Sequence, residues 1–493
     1  MIQAEPKPQF ENQFSDAGLF RQQAYVDGAW VDAPGGETTD VTNPADGAVI
    51  GQVPMLGAVE ARGAIEAASR AFPAWRALLP QERGELMENW YRLLLAHRED
   101  LARIMTLEQG KPLSDSRGEI DYAASFIKWF AEEGRRMNGE TLPSHLPDRR
   151  LLVYREPVGV TACITPWNFP AAMITRKAAA ALAAGCPMVV RPANETPFSA
   201  LALAELAERA GIPAGVFSVL TGSGREIGGE MCANTLVRAL SFTGSTEVGR
   251  VLLRQGAETV KKMSMELGGH APFIGYPDVG VERLVEGALA AKFQTTGQDC
   301  LAANRIYIHR DIYDQFLEAF TRRTAAFKVG NGLDEDVDYG PLMNEDAVRK
   351  AEEHVEDAVS KGARLLTGGK RLPLGELFFA PAVLADVTPD MAIYREETFG
   401  PVAGVTPFDD GDDIAAMAND SEYGLASYIY CDNLSRVHRL SAALEYGMVA
   451  VNCAKMTGPP IPFGGVKQSG LGREGSTHGL DEYSDLKYVC IQV

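Results

Sequence analysis

From Pro157 onward the chain alternates short apolar strands with helical stretches, and this rhythm limits the possible folds more than any other feature. Residues 158–164, 187–191, 216–220 and 237–242 read as strands. Residues 171–184 and 199–210 read as helices between them, and further helices follow Gly224 and Ser245. Short apolar runs separated by helices call for a parallel sheet with both faces covered. A second alternation occupies residues 271–452, opening with Pro272-Phe273-Ile274 and closing with Val449-Ala450-Val451. The expected class is therefore α/β, with one doubly wound parallel sheet and a second α/β domain.

The flanking segments complete the organisation. Residues 1–23 are polar and read as an irregular arm. Residues 25–31 and 39–41, with the turn Asn43-Pro44-Ala45-Asp46-Gly47, read as short strands. Across 81–108, Leu86, Trp90, Leu93, Leu94, Leu101, Ile104 and Met105 recur at three- and four-residue spacing, which predicts one buried helical face. Another helix is expected over 121–137. Residues 142–156 carry prolines and alternating apolar residues (Leu151, Val153), an extended excursion suited to contacting another subunit. The tail at 487–491 reads as a strand with nothing downstream to pair with, so it is expected to add to a sheet edge, a partner subunit's included. The expected domains are 1–141 with 157–266, then 267–472, with 142–156 and 473–493 forming a small β extension for oligomerisation.

Composition excludes several functions. A formal net charge of −19, with the charges dispersed, argues against a phosphate-backbone binder, so no nucleic-acid partner is expected. No 18-residue uncharged apolar run appears, so no membrane span is expected. The opening residues lack a basic-then-apolar signal pattern. The seven cysteines are scattered without a C-x-x-C pair, and the histidines form no H-x-x-H cluster. Structural zinc, a catalytic metal and a disulfide framework are not expected, and a reduced cytoplasm fits best.

The chemistry-bearing candidates sit at the ends of these elements. Phe293 to Arg305 places Cys300 after a Gly-Gln-Asp turn, where a thiol can meet a ligand; a lone cysteine is more often a small buried hydrophobe. Gly244-Ser245 follows a strand and opens a helix, so Ser245 can cap that helix or donate to a phosphate. Thr165-Pro166-Trp167-Asn168-Phe169-Pro170 follows the first strand of the sheet, and Glu266-Leu267-Gly268-Gly269 follows its last. Glu396-Glu397-Thr398-Phe399-Gly400-Pro401 lies in the second half. Singly, Asn168 reads as a turn residue and Glu266 as a solvated helix-end charge.

Together and in this order the motifs resemble the aldehyde dehydrogenase superfamily over nearly the whole chain, the interval from Glu266 to Cys300 included. Pro462 to Gly470 and the run Asn419-Asp420 to Tyr423-Gly424-Leu425 also fit. The resemblance implies that Cys300 attacks an aldehyde carbon as a thiolate, and that the Asn168 amide with the Cys300 N–H holds the oxyanion. Glu266 then activates water to hydrolyse the thioester, and Lys177 lies near the oxyanion site. It also implies that Thr165, Pro166, Trp167, Gly244 and Ser245 line the dinucleotide site, with Glu397 and Phe399 on the nicotinamide ribose and ring. A CoA-acylating relative generally lacks the glutamate at Glu266, and a non-catalytic member would not keep Cys300, Asn168 and Glu266 together.

Two departures bear on the cofactor. The family usually has lysine where this chain has Arg191, and NAD-specific members often have glutamate where it has Asn194. Asparagine removes the repulsion of a 2′-phosphate and Arg191 can pair with one, so NADP is expected to be preferred, with NAD as the alternative.

Within the superfamily, Met173 to Lys177, Pro197 to Ala204 and Gly470 to Gly475 look most like succinate-semialdehyde dehydrogenases. The resemblance implies that Arg176 binds the substrate carboxylate, although a structural ion pair is an alternative. A second arginine of some members falls at Gln294, and a substrate-binding serine at Thr457. Glutarate or 2-oxoglutarate semialdehyde, or a broad aromatic specificity, stays open. So does the role of His270. Ala302 stands where some members carry a second cysteine, which excludes a local disulfide switch. A homodimer or homotetramer is expected.

Overall fold

The computed structural model describes residues 14–493. Residues 1–13, which hold most of the expected irregular arm, lie outside the described residues.

The first sheet has eight strands, in the order Gly470–Leu471, Lys262–Glu266, Val237–Thr243, Val160–Ile164, Met188–Arg191, Phe217–Val219, Ala24–Val26 and Ala29–Val31. Its five central strands run parallel. The chain begins the parallel set at Val160–Ile164, winds outward through Met188–Arg191 and Phe217–Val219, then returns to the other side with Val237–Thr243. The order reverses between Val160–Ile164 and Val237–Thr243, which opens a crevice beyond their carboxyl ends, the place where doubly wound sheets bind nucleotides. Gly470–Leu471, expected in the second domain, instead pairs antiparallel with Lys262–Glu266 and closes the sheet edge. Residues 25–31 form a hairpin, because Asp27 and Gly28 both take positive φ and turn the chain.

The helical face predicted across 81–108 is split into Pro80–Ala96 and Arg98–Gln109, with the break at His97. The helix expected over 121–137 spans Leu113–Glu133, starting directly after Pro112, which cannot extend a helix in the other direction. Trp90 and Trp75 are fully buried, and their indole N–H groups donate to the carbonyls of Leu203 and Leu182, so each apolar ring is buried with its polar atom satisfied. Ala172–Ala184 is buried all round. Its alanines allow close approach by neighbours, and its Arg176 and Lys177 are carried into the interior, where each charge requires a partner.

The second sheet has seven strands, ordered Arg364–Thr367, Ala382–Ala385, Val402–Phe408, Ala303–His309, Ala271–Gly275, Ala426–Tyr430 and Met448–Val451. All neighbouring pairs are parallel except Arg364–Thr367 with Ala382–Ala385.

The tail strand adds to a sheet edge, as expected. Ser484–Gln492 pairs antiparallel with Arg149–Pro157 of its own chain along the whole strand, and Glu140–Leu142 completes a three-stranded sheet. The missing partner lay upstream, in the excursion itself. Among the described residues the outer edge of Ser484–Gln492 is unpaired, and Leu486, Tyr488 and Ile491 in the strand and Val493 after it are exposed. Among the described residues no helix is long and apolar enough to cross a membrane.

Candidate active site

The cysteine loop is held by strain and by pinned ends. Thr295, Thr296 and Gly297 all take left-handed backbone conformations, with φ of 48°, 58° and 73°. For two β-branched threonines this costs on the order of 1–3 kcal/mol each, which the surrounding contacts must offset. The Gln298 carbonyl accepts from the Asn168 amide at 3.1 Å, and the Gln298 side chain accepts from Met343 N–H at 2.9 Å. Cys300 itself is half-buried.

It lies on a funnel of about 410 Å³ that is also lined by Arg176, Gln294, Thr457, Phe169 and Lys455. Burial first, then Asp299 and Glu266, push the Cys300 thiol well above its ordinary range, so the resting group is protonated. Nucleophilic attack therefore needs a base.

Glu266 has the properties of that base. It ends the strand Lys262–Glu266, is only 2% exposed, and among the described residues neither carboxylate oxygen has a hydrogen-bond partner. Burial, followed by the charge of Glu474, raises it well above the ordinary carboxylate range. A carboxylate without partners beside a half-buried thiol is suited to accepting a proton.

Asn168 is held in place from behind. Lys111 Nζ donates to its carbonyl at 2.6 Å and to Glu119 Oε2 at 2.6 Å, and Glu119 Oε1 accepts from the N–H groups of Ala171 and Ala172. Of the two amide donors of Asn168, one is taken by the Gln298 carbonyl and the second has no acceptor among the described residues.

Glu474 is the central group that the sequence reading left without a role. Arg176 Nε lies 2.5 Å from its Oε2, and Lys177 Nζ donates to its Oε1. Burial pushes the Glu474 carboxyl up, but Lys177 and Arg176 outweigh it and leave the group below its ordinary value. Lys177 is the residue expected near the oxyanion site. Its ammonium is fully buried and is divided between Glu474 and Thr243 Oγ1, the latter at 2.7 Å. Arg176 does line the funnel, but it carries the ion pair that was its alternative role, and it stacks on Phe463 at 4.0 Å.

The cofactor candidates gather at the crevice beyond the strand ends. Thr165, Pro166 and Trp167 leave Val160–Ile164, and Gly244 and Ser245 leave Val237–Thr243. Ser245 caps the next helix by accepting from Val248 N–H. Arg191 ends Met188–Arg191, donating to Asn194 Oδ1 at 2.7 Å and to the Gly222 carbonyl at 3.0 Å, while its Nε is buried with no partner. Across the cleft, Phe399 packs edge-on to Trp167 at 5.6 Å, and Glu397 Oε1 accepts from Gly269 N–H at 2.8 Å. A Cβ on Gly269 would lie 2.1 Å from the Cys300 carbonyl oxygen, so only glycine lets the interdomain crossing pass between thiol loop and Glu397. Thr165 and Thr246 hydroxyls and Arg191 Nε are buried without partners here, which fits a site built for a polar dinucleotide.

His270 stands apart from the funnel. Its Nε2 lies 2.9 Å from the Tyr394 carbonyl, and burial holds the ring well below its ordinary value, so it is neutral. Among the described residues no cluster of His, Cys, Asp and Glu is arranged to hold a metal.

A buried carboxylate and a thiol lie beside the crevice at the strand ends, and the chain belongs to the aldehyde dehydrogenase family, whose description matches residues 30–489. It is 58% identical over 480 residues to an aspartate-semialdehyde dehydrogenase (non-phosphorylating) of Halomonas elongata, covering 97% of each chain. It is 56% identical to an NADP(+) succinate-semialdehyde dehydrogenase of Escherichia coli, covering 97% of this chain and 99% of that one. A crystal structure described as an E. coli NADP-dependent enzyme superposes with a TM-score of 0.97 at 56% identity, covering 97% of this chain and 100% of the other.

Proposed function

We propose that the protein oxidises a short ω-carboxylated aldehyde to the acid, with succinate semialdehyde as the leading substrate and NADP preferred over NAD. The observation that carries the chemistry is Glu266, buried with two free carboxylate oxygens and electrostatically linked to Cys300. Glu266 takes the thiol proton, and the Cys300 sulfur adds to the aldehyde carbon to give a thiohemiacetal. The second N–H of Asn168 and the Cys300 N–H hold the developing oxyanion. When bound, a nicotinamide cofactor supplies the two-electron acceptance that turns the adduct into a thioester. Once the thiol proton has passed from Glu266 to solvent, its carboxylate removes a proton from water, which attacks the thioester, releases the carboxylic acid and leaves the Cys300 sulfur free to be reprotonated. The presence of this carboxylate supports hydrolysis over transfer to CoA.

Arg191, with an unpartnered Nε beside the crevice and Asn194 where a carboxylate would repel a phosphate, supports the NADP preference. The name of the E. coli relative supports both the substrate and that preference. The Halomonas relative favours a second reading, an aldehyde that carries an amino group as well. Free cysteines throughout agree with a reduced cytoplasmic setting, and the exposed apolar edge of Ser484–Gln492 supports a homodimer or homotetramer.

The test is a panel of succinate, glutarate, 2-oxoglutarate and aspartate semialdehydes with benzaldehyde, each assayed with both cofactors. The highest kcat/KM is expected for succinate semialdehyde with NADP, and Cys300→Ser should abolish reduced-cofactor formation. A higher kcat/KM for benzaldehyde, or for NAD, would overturn the corresponding part of the reading.

A further inference from the structure

Three cations line the funnel above Cys300: Lys111, Arg176 and Lys455. Two are already neutralised. Lys111 is buried and spends its ammonium on Glu119 and the Asn168 carbonyl. Arg176 is committed to Glu474 through Nε and donates through Nη2 to Met173 Sδ at 3.1 Å. Gln294, on the same funnel, is neutral. Lys455 is different: it is exposed, and among the described residues it makes no ion pair or hydrogen bond.

Its position suits the outer end of a substrate. Lys455 lies in the irregular segment just after Met448–Val451, on the same funnel wall as Thr457. We infer that Lys455 is the specificity-determining residue of the funnel, pairing with the ω-carboxylate of an aldehyde whose carbonyl rests at Cys300. This inference rests on the ω-carboxylated reading above and names the group that reads the carboxylate. The lining acids do not compete strongly. Glu119 is paired with Lys111, and Asp299 accepts from Leu301 N–H in its own loop. The remaining acid, Asp115, is exposed on the funnel wall. Lysine ends in a point charge on a flexible stem, so it can follow carboxylates at more than one distance from the aldehyde.

The experiment compares kcat/KM for succinate semialdehyde and for butanal in the wild type, Lys455→Met and Lys455→Arg, with glutarate semialdehyde as a longer probe. In Lys455→Met the ratio of carboxylated to neutral substrate should fall roughly tenfold, through KM, for both semialdehydes. Lys455→Arg should restore most of the ratio. A ratio in Lys455→Met equal to that of the wild type would overturn the assignment while leaving the ω-carboxylated reading intact. A wild type that does not favour the semialdehydes over butanal would overturn both.

Discussion

Replacing Glu474 by glutamine tests the electrostatics behind the catalytic base. Glutamine keeps the volume but removes the charge that Lys177 and Arg176 share, and those residues are 0% and 2% exposed. Two buried cations would be left without a counter-charge, and removing one partner of such a group costs about 3–5 kcal/mol. With an unfolding entropy of about 2.1 cal/mol/K per residue, a chain of 493 residues has about 1 kcal/mol/K, so its melting temperature should fall by about 3–5 °C. The same change acts on Glu266. The Glu474 charge raises the Glu266 carboxyl while Arg176 and Lys177 lower it, so neutralising Glu474 moves it down. Because only ionised Glu266 accepts a proton, its rate dependence rises with pH, and the acid limb should move to lower pH in Glu474→Gln. The assays are a thermal melt and a kcat–pH profile with saturating succinate semialdehyde. A variant that melts with the wild type and keeps its acid limb would refute the claim that this ion triad is a buried, coupled unit.

Glu266→Gln should slow both the burst of reduced cofactor, because the Cys300 thiol loses its base, and the steady-state turnover, by about 10²- to 10⁴-fold. Quench-flow and steady-state rates check both points. Lys111→Met strands Glu119 and releases the Asn168 carbonyl; kcat should fall by up to about 10²-fold, the scale of one oxyanion donor, with a smaller change in KM. An unchanged kcat in a folded variant would remove Lys111 from the positioning of Asn168. Glu397 is pushed up to about 7 by burial, against the opposing Gly269 N–H, so it loses its proton as pH rises through neutrality. Cofactor KM should vary across that window in the wild type, and Glu397→Gln should flatten it. In the linkage sense this raised carboxyl contributes stability below its unfolded value, and that contribution is lost as pH rises through about 7.

Much of this protein follows from local sequence. The alternation of apolar strands and helices depends only on residues near in the chain, so the two α/β halves and the residues at their strand ends were legible: Asn168, Arg191, Gly244, Glu266. The resemblance of ordered motifs supplied the pairing of Cys300 with Glu266. Tertiary structure decided what long-range contact decides. The strand at the tail finds Arg149–Pro157 some three hundred residues upstream, and no local pattern encodes that partner. Lys111 and Glu119 look like ordinary solvated charges until the fold buries them behind Asn168. A signal did exist for Glu474. Adjacent cations in the alanine-rich run 172–184 cannot be buried without a counter-charge, yet which carboxylate supplies it depends on where residue 474 returns. Burial in the folded chain then changes the same side chains chemically, turning Glu266 into a partnerless base and Arg176 into a committed ion pair, and leaving Lys455 as the cation still free to meet a substrate.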